Sequence, residues 1–244
     1  MPWRRGAALA MAMALAGGST PAMAGTPDAC PAAPVQTLSL PATKAALAGG
    51  KQVLIVALGS SSSRGAAASN PAHSYPAILE ARLSALLPTA SIAVINRGND
   101  GEDAPRELTR LATDVIALRP QTVIWQVGAN GAMRGTDPAV FHALVGAGVA
   151  KLRESGIDVV LMDNQRAPAI VRAAHHEAIE RALAQTAAEN ASSLFSRGAL
   201  MDAWRDAGFG YELFVSPDGL HHNDRGYRCV AEALAKAIAA AAVP

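Results

Sequence analysis

Five short aliphatic runs, with helix-forming stretches between them, constrain this sequence more than any other feature. Gln52 to Leu58 is continuous, apolar and rich in β-branched residues, and it ends in Gly59-Ser60. Ile92 to Ile95, Thr122 to Val127, Val159 to Met162 and a weaker Ser193 to Phe195 repeat the pattern. Runs that are apolar throughout, rather than at every second position, belong to strands covered on both faces. Between the first two, Tyr75 to Leu87 carries Ile78, Leu79, Leu83, Leu86 and Leu87 as a helical stripe. Ala104 to Ala117, Ala139 to Glu154, Ile170 to Asn190 and Arg225 to Ala242 supply further helices. Such alternation with short connections predicts an α/β domain, a parallel sheet with helices on both faces. In open sheets of this kind ligands sit beyond the carboxyl ends of the strands, so the chemistry is sought there.

Bulk properties narrow the function classes. Half of the 244 residues are apolar, enough for a sizeable core, and 17% are charged. The 21 basic residues are balanced by 20 acidic ones, which argues against the basic face that nucleic-acid binding demands. Aromatic residues make up 4%, too few for extended stacking platforms. No internal repeat, linker or second composition regime divides the chain.

Residues 1–24 read as a secretory signal peptide. Arg4 and Arg5 precede a short apolar stretch, and Ala22-Met23-Ala24 supplies a small-x-small cleavage pattern. No later run is long enough to cross a membrane, so no integral segment is expected after signal removal. Residues 25–48, rich in Pro, Ala and Thr, read as an irregular lead-in to a domain over 49–244. The expected location is periplasmic or secreted. There the only two cysteines, Cys30 and Cys229, either pair and tie the lead-in to the last helix or remain two thiols. His175-His176 reads as a solvated surface pair on a helix, and no Cys/His grouping has metal-ligand spacing.

Four strand-end segments carry chemistry-bearing residues. Gly59-Ser60-Ser61-Ser62-Ser63-Arg64-Gly65 follows the first strand. It reads either as a flexible turn or as a strand-to-helix corner presenting a hydroxyl, with its own N–H facing a developing anion. Asn96 to Gly101 follows the second strand, and Gly128-Ala129-Asn130-Gly131 the third. Each is either an ordinary Gly/Asn turn or a donor of a backbone N–H or carboxamide to a shared point. Near the end, Ser216-Pro217-Asp218-Gly219-Leu220-His221-His222 places Asp218 and His221 three residues apart. That spacing lets an Asp fix the tautomer of a basic imidazole, or simply places a capping Asp beside surface histidines.

In this order along an alternating chain, Ser61, Gly101, Asn130 and Asp218 with His221 resemble the SGNH (GDSL-like) hydrolase family, over roughly residues 52–242. The resemblance implies a flavodoxin-like three-layer α/β/α sandwich with a five-stranded parallel sheet. It implies ester or thioester hydrolysis without a metal or other cofactor. It puts the nucleophile on Ser61, the acid and base on Asp218 and His221, and the oxyanion hole on Ser61, Gly101 and Asn130. Two positions depart from the family pattern. Ser60 stands where Asp is usual, and Gly131 stands where Asp often follows the asparagine. Four adjacent serines leave Ser60 and Ser62 as alternative nucleophiles, and His222 is expected at the pocket rim.

The resemblance leaves the substrate open among lipids, thioesters and esterified sugars. Export disfavours intracellular thioesters, and no large apolar insertion forms a lid. Short acyl or O-acetyl esters, on a small molecule or a saccharide, are therefore expected. Trp125 reads as core, whereas Trp204 is a candidate to flank the site. An O-acyltransferase using the same groups and a non-catalytic binding protein of this fold are the alternatives.

Overall fold

The structure, a computed structural model, describes residues 29–242; the expected signal peptide lies outside them. Five strands form one sheet: β1 (Val53–Gly59), β2 (Ile92–Gly98), β3 (Thr122–Gln126), β4 (Asp158–Met162) and β5 (Ser193–Phe195). Their order across the sheet is β2-β1-β3-β4-β5, and every pairing is parallel. This is the flavodoxin-like arrangement, with the order reversing at β1. The register sets Gly59, the last residue of β1, opposite Gly98 of β2 and Gln126 of β3.

The helices are α1 (Pro41–Ala48), α2 (Ser61–Arg64), α3 (Tyr75–Leu86), α4 (Ala104–Thr109), α5 (Leu111–Asp114) and α6 (Ala129–Met133). They continue with α7 (Pro138–Glu154), α8 (Pro168–Val171), α9 (His176–Glu189), α10 (Arg197–Asp206) and α11 (Asp224–Ala242). Side chains alternate between two cores because strand side chains point to opposite faces. Val53, Ile55 and Ala57 of β1 pack with Leu79 and Leu83 of α3 and with Leu234 and Ile238 of α11. Val56 and Leu58 pack on the other face with Phe141, Val145 and Val149 of α7 and Leu183 of α9. Each fully buried side chain of this size contributes about 1.5–3 kcal/mol.

Three helical expectations change. The lead-in is helical over Pro41–Ala48 because the Asp158 carboxylate accepts from the N–H groups of Ala42 and Thr43, capping it from β4. The stretch from Ala104 to Ala117 breaks at Arg110, which leaves helical geometry while its guanidinium binds Glu102, Asp114 and the Gly59 carbonyl. The stretch from Ile170 to Asn190 breaks before α9, where the His175 ring donates to the Thr136 carbonyl. His176 is buried, not solvated, and sits beside Arg166 and Glu180. Among the described residues no helix is long and apolar enough to cross a membrane.

The chain before α1 runs alongside β5. The Gln36 carboxamide bonds both the N–H and the carbonyl of Ser196, and Ser39 N–H donates to Ser193 Oγ. Cys30 and Cys229 are joined by a disulfide, which fastens this arm to α11.

Candidate active site

β1 delivers its last residues to the centre of the sheet's carboxyl edge, where α2 begins at once. Ser61 is the first residue of α2, so its N–H has no intrahelical acceptor and lies at the positive end of the helix turn. Of the four serines, Ser60, Ser62 and Ser63 are buried, while Ser61 is partly exposed. Its Oγ lies 2.8 Å from His221 Nε2. Ser62 instead accepts from Gln165, and Ser63 bonds Tyr75.

The Ser216–His222 turn is built around one carboxylate. Asp218 Oδ1 accepts from Ser216 Oγ at 2.6 Å and from the N–H groups of Leu220 and His221 at 2.8 and 3.0 Å. Asp218 Oδ2 accepts from His221 Nδ1 at 2.7 Å. Partial desolvation pushes this carboxyl up, but the bonds from Ser216, His221 and the two backbone N–H groups outweigh it and hold it well below the carboxylate range. Asp218 is therefore ionised and fixes the His221 proton on Nδ1. That leaves the Nε2 lone pair to accept from Ser61. Gln165 donates to the Leu220 carbonyl and anchors the turn to the end of β4.

Gly101 stands on the loop after β2 and Asn130 in the first turn of α6 after β3, and these strands flank β1 on either side. Gly101 takes φ +69°, a conformation costly for any residue with a Cβ. Asn130 Nδ2 donates one hydrogen to the Glu102 carbonyl at 2.6 Å, leaving its second amide hydrogen available. A close approach at Gly98 sets the spacing of this edge, since a Cβ there would fall 2.1 Å from the Arg64 nitrogen. The arrangement can activate a hydroxyl through a neutral imidazole backed by a carboxylate.

Both departures have local replacements. Gln126 Oε1 accepts from Ser60 N–H and Ser60 Oγ at 3.1 and 2.9 Å, so a carboxamide on β3 holds the corner. Gly131 lies within α6, and the Thr136 N–H ties the end of that helix by donating to the Gly131 carbonyl at 2.9 Å.

Two expectations are corrected. His222 is not on the rim: it is fully buried, its Nδ1 donates to the Phe214 carbonyl, and burial followed by the nearby Arg197 charge pushes its pKa down to about 3. Trp204 does not flank the site; it is buried against Phe214 with ring centroids 4.4 Å apart. Trp125 is core and donates its indole N–H to Glu107. Sequence reasoning missed Gln126, Gln165 and Arg134, polar residues without a motif whose partners come from other strand ends.

A family model described as the Non-GDSL lipase-like family matches residues 27–243. The chain belongs to this family. No curated protein matches the sequence. Among solved structures, this Non-GDSL lipase-like chain is similar to a lipase/acylhydrolase from Enterococcus faecalis, at 20% identity and TM-score 0.67, covering 77% of this chain and 96% of that one. It is similar to an acetylxylan esterase from Geobacillus stearothermophilus, at 20% identity and TM-score 0.63, covering 77% and 93%. It is also similar to a two-domain esterase active on acetylated mannans, at 20% identity and TM-score 0.70, covering 85% of this chain but 55% of that one. These likenesses are of fold, the five-stranded parallel sheet with helices on both sides.

Proposed function

We propose that this protein is an exported serine esterase that hydrolyses carboxylic esters. The observation carrying the reading is the unbroken relay from Ser61 Oγ through the two ring nitrogens of His221 to Asp218, at 2.8 and 2.7 Å. Ser61 attacks the ester carbonyl carbon while His221 Nε2 takes its proton, and Asp218 stabilises the imidazolium. The N–H groups of Ser61 and Gly101 and the free amide hydrogen of Asn130 receive the oxyanion. Collapse expels the alcohol, protonated by His221. Water then attacks the acyl-Ser61 carbonyl, again with His221 as base, releasing the acid.

Short acyl or O-acetyl esters, including those on saccharides, are the proposed substrates. Two structures of this fold are named as esterases acting on acetylated mannan and acetylxylan. Export rests on the signal-like residues 1–24 and on the Cys30–Cys229 disulfide.

The test incubates the protein and its Ser61→Ala variant with a serine-directed fluorophosphonate and with p-nitrophenyl esters from acetate to octanoate. The reading requires one adduct and ester turnover in the wild type, fastest on the shorter esters, and neither in the variant. Labelling that persists in Ser61→Ala moves the nucleophile elsewhere. A wild type that neither labels nor turns over ends the esterase reading. Comparing free acid released with acylated sugar acceptor separates hydrolysis from acyl transfer.

A further inference from the structure

The two proposed oxyanion donors outside the nucleophile belong to different elements, the loop after β2 and the helix α6 after β3. A tetrahedral oxyanion is stabilised only if such donors are held in place before the charge develops. Something must therefore lock the loop and the helix together, and the hydrogen bonds show what does. Arg134 caps α6, one turn beyond Asn130. Its Nη2 donates to the Gly101 carbonyl at 2.6 Å and its Nη1 to Asp103 Oδ2 at 2.7 Å. The planar fork thus spans the loop on both sides of Glu102, whose carbonyl accepts from Asn130. Three bonds join the two segments, and two of them come from one guanidinium.

Resting on the esterase reading above, we propose that Arg134 is a positioning residue that aligns the Gly101 and Asn130 donors. It touches no reacting atom. The fork fixes the Gly101 carbonyl, and with it the left-handed turn that directs the Gly101 N–H. It also holds the Glu102 carbonyl where it takes one Asn130 hydrogen and leaves the other for the oxyanion. Lysine cannot replace this function, because a single ammonium lacks the fixed two-pronged geometry. Arg134 is 44% exposed, so its loss opens no cavity in the core.

The experiment measures kcat, KM and inhibition by an alkyl boronic acid, which forms a tetrahedral adduct with the serine. It compares wild type, Arg134→Gln, Arg134→Lys, Asn130→Ala and the Arg134→Gln/Asn130→Ala double variant. Misplaced donors lower the rate by about 10–100-fold in Arg134→Gln, and loss of the Asn130 donor by about 10²–10³-fold in Asn130→Ala. Boronate affinity falls in step with kcat, KM stays within about threefold, and Arg134→Lys recovers little of the loss. In the Asn130→Ala background the same Arg134 change costs less, since one of the two donors it aligns is gone and only the Gly101 N–H remains to be misplaced. Equal cost in both backgrounds, a loss confined to KM, or full activity in Arg134→Gln overturns the proposal. An inactive wild type is instead the failure of the esterase reading.

Discussion

Replacing Glu107 by glutamine isolates one buried charge and its effect on stability. Glu107 of α4 is 1% exposed. One carboxyl oxygen accepts from the Trp125 indole at 2.7 Å, and the other has no partner among the described residues. Burial dominates its titration and raises the pKa from 4.5 to about 8, against the opposing pull of the Trp125 bond and Arg110. The folded carboxyl therefore keeps its proton up to about 8, while the unfolded chain releases it near 4.5. The folded state binds the extra proton across that interval. Its stabilising contribution is complete below 4.5, drains as pH rises, and is gone above about 8. At about 1.36 kcal/mol per pH unit, the interval sets a ceiling of about 5 kcal/mol, which water entry around the charged form reduces to a few. Glutamine keeps an acceptor for Trp125 and cannot ionise. It leaves its amide donors unsatisfied at a cost of about 1–3 kcal/mol that does not change with pH. Urea unfolding of both proteins at half-unit steps from pH 5 to 9 reads the difference. The wild type loses at least 2 kcal/mol more than Glu107→Gln between the ends of the series, by the same linkage. Curves that stay parallel within about 0.5 kcal/mol would refute the reasoning.

Other expected outcomes follow from single contacts. Gln126→Leu removes the acceptor shared by the Ser60 N–H and hydroxyl, at a cost of about 2–4 kcal/mol. A urea midpoint unchanged in that variant would show that the nucleophile corner is held by other means. Reducing the disulfide, whose cysteines are 199 residues apart, frees a loop worth about 5 kcal/mol of chain entropy. For a chain this size that lowers the thermal midpoint by roughly 10–20 °C. An unchanged midpoint, with both thiols titrated as free, would put the stabilisation elsewhere.

The parts of this molecule that the sequence disclosed are those whose cause is local. The β1 run is apolar without interruption because both its faces are covered, and that shows in seven consecutive residues. The helix expected from Ala139 to Glu154 is likewise local in cause, and Asp137, overlooked in the sequence, caps it by accepting from the N–H groups of Ala139 and Val140. α1 was not readable, because its capping carboxylate is Asp158, 115 residues from Thr43. Ser196 caps α10 through Ala199 and offered a local signal that was overlooked. The position of Ser61 among four serines needed His221, 160 residues away, to distinguish it. His222 and His176 misled for one reason: a polar side chain looks solvated until its burying partners from other elements are known.

The arm before α1 has a consequence for how the chain is made. β5 is a sheet edge, and an uncovered edge is a template for pairing with another chain. The arm that occupies the flank of β5 is synthesised before β5, yet its clasp, Cys229, lies in α11. From the time β5 forms until Cys229 pairs, the arm is held at this edge, among the described residues, by the bonds of Gln36 and Ser39. Closure against self-association waits for the carboxyl-terminal helix and for an oxidant. A chain retained under reducing conditions is accordingly the one most exposed to aggregation.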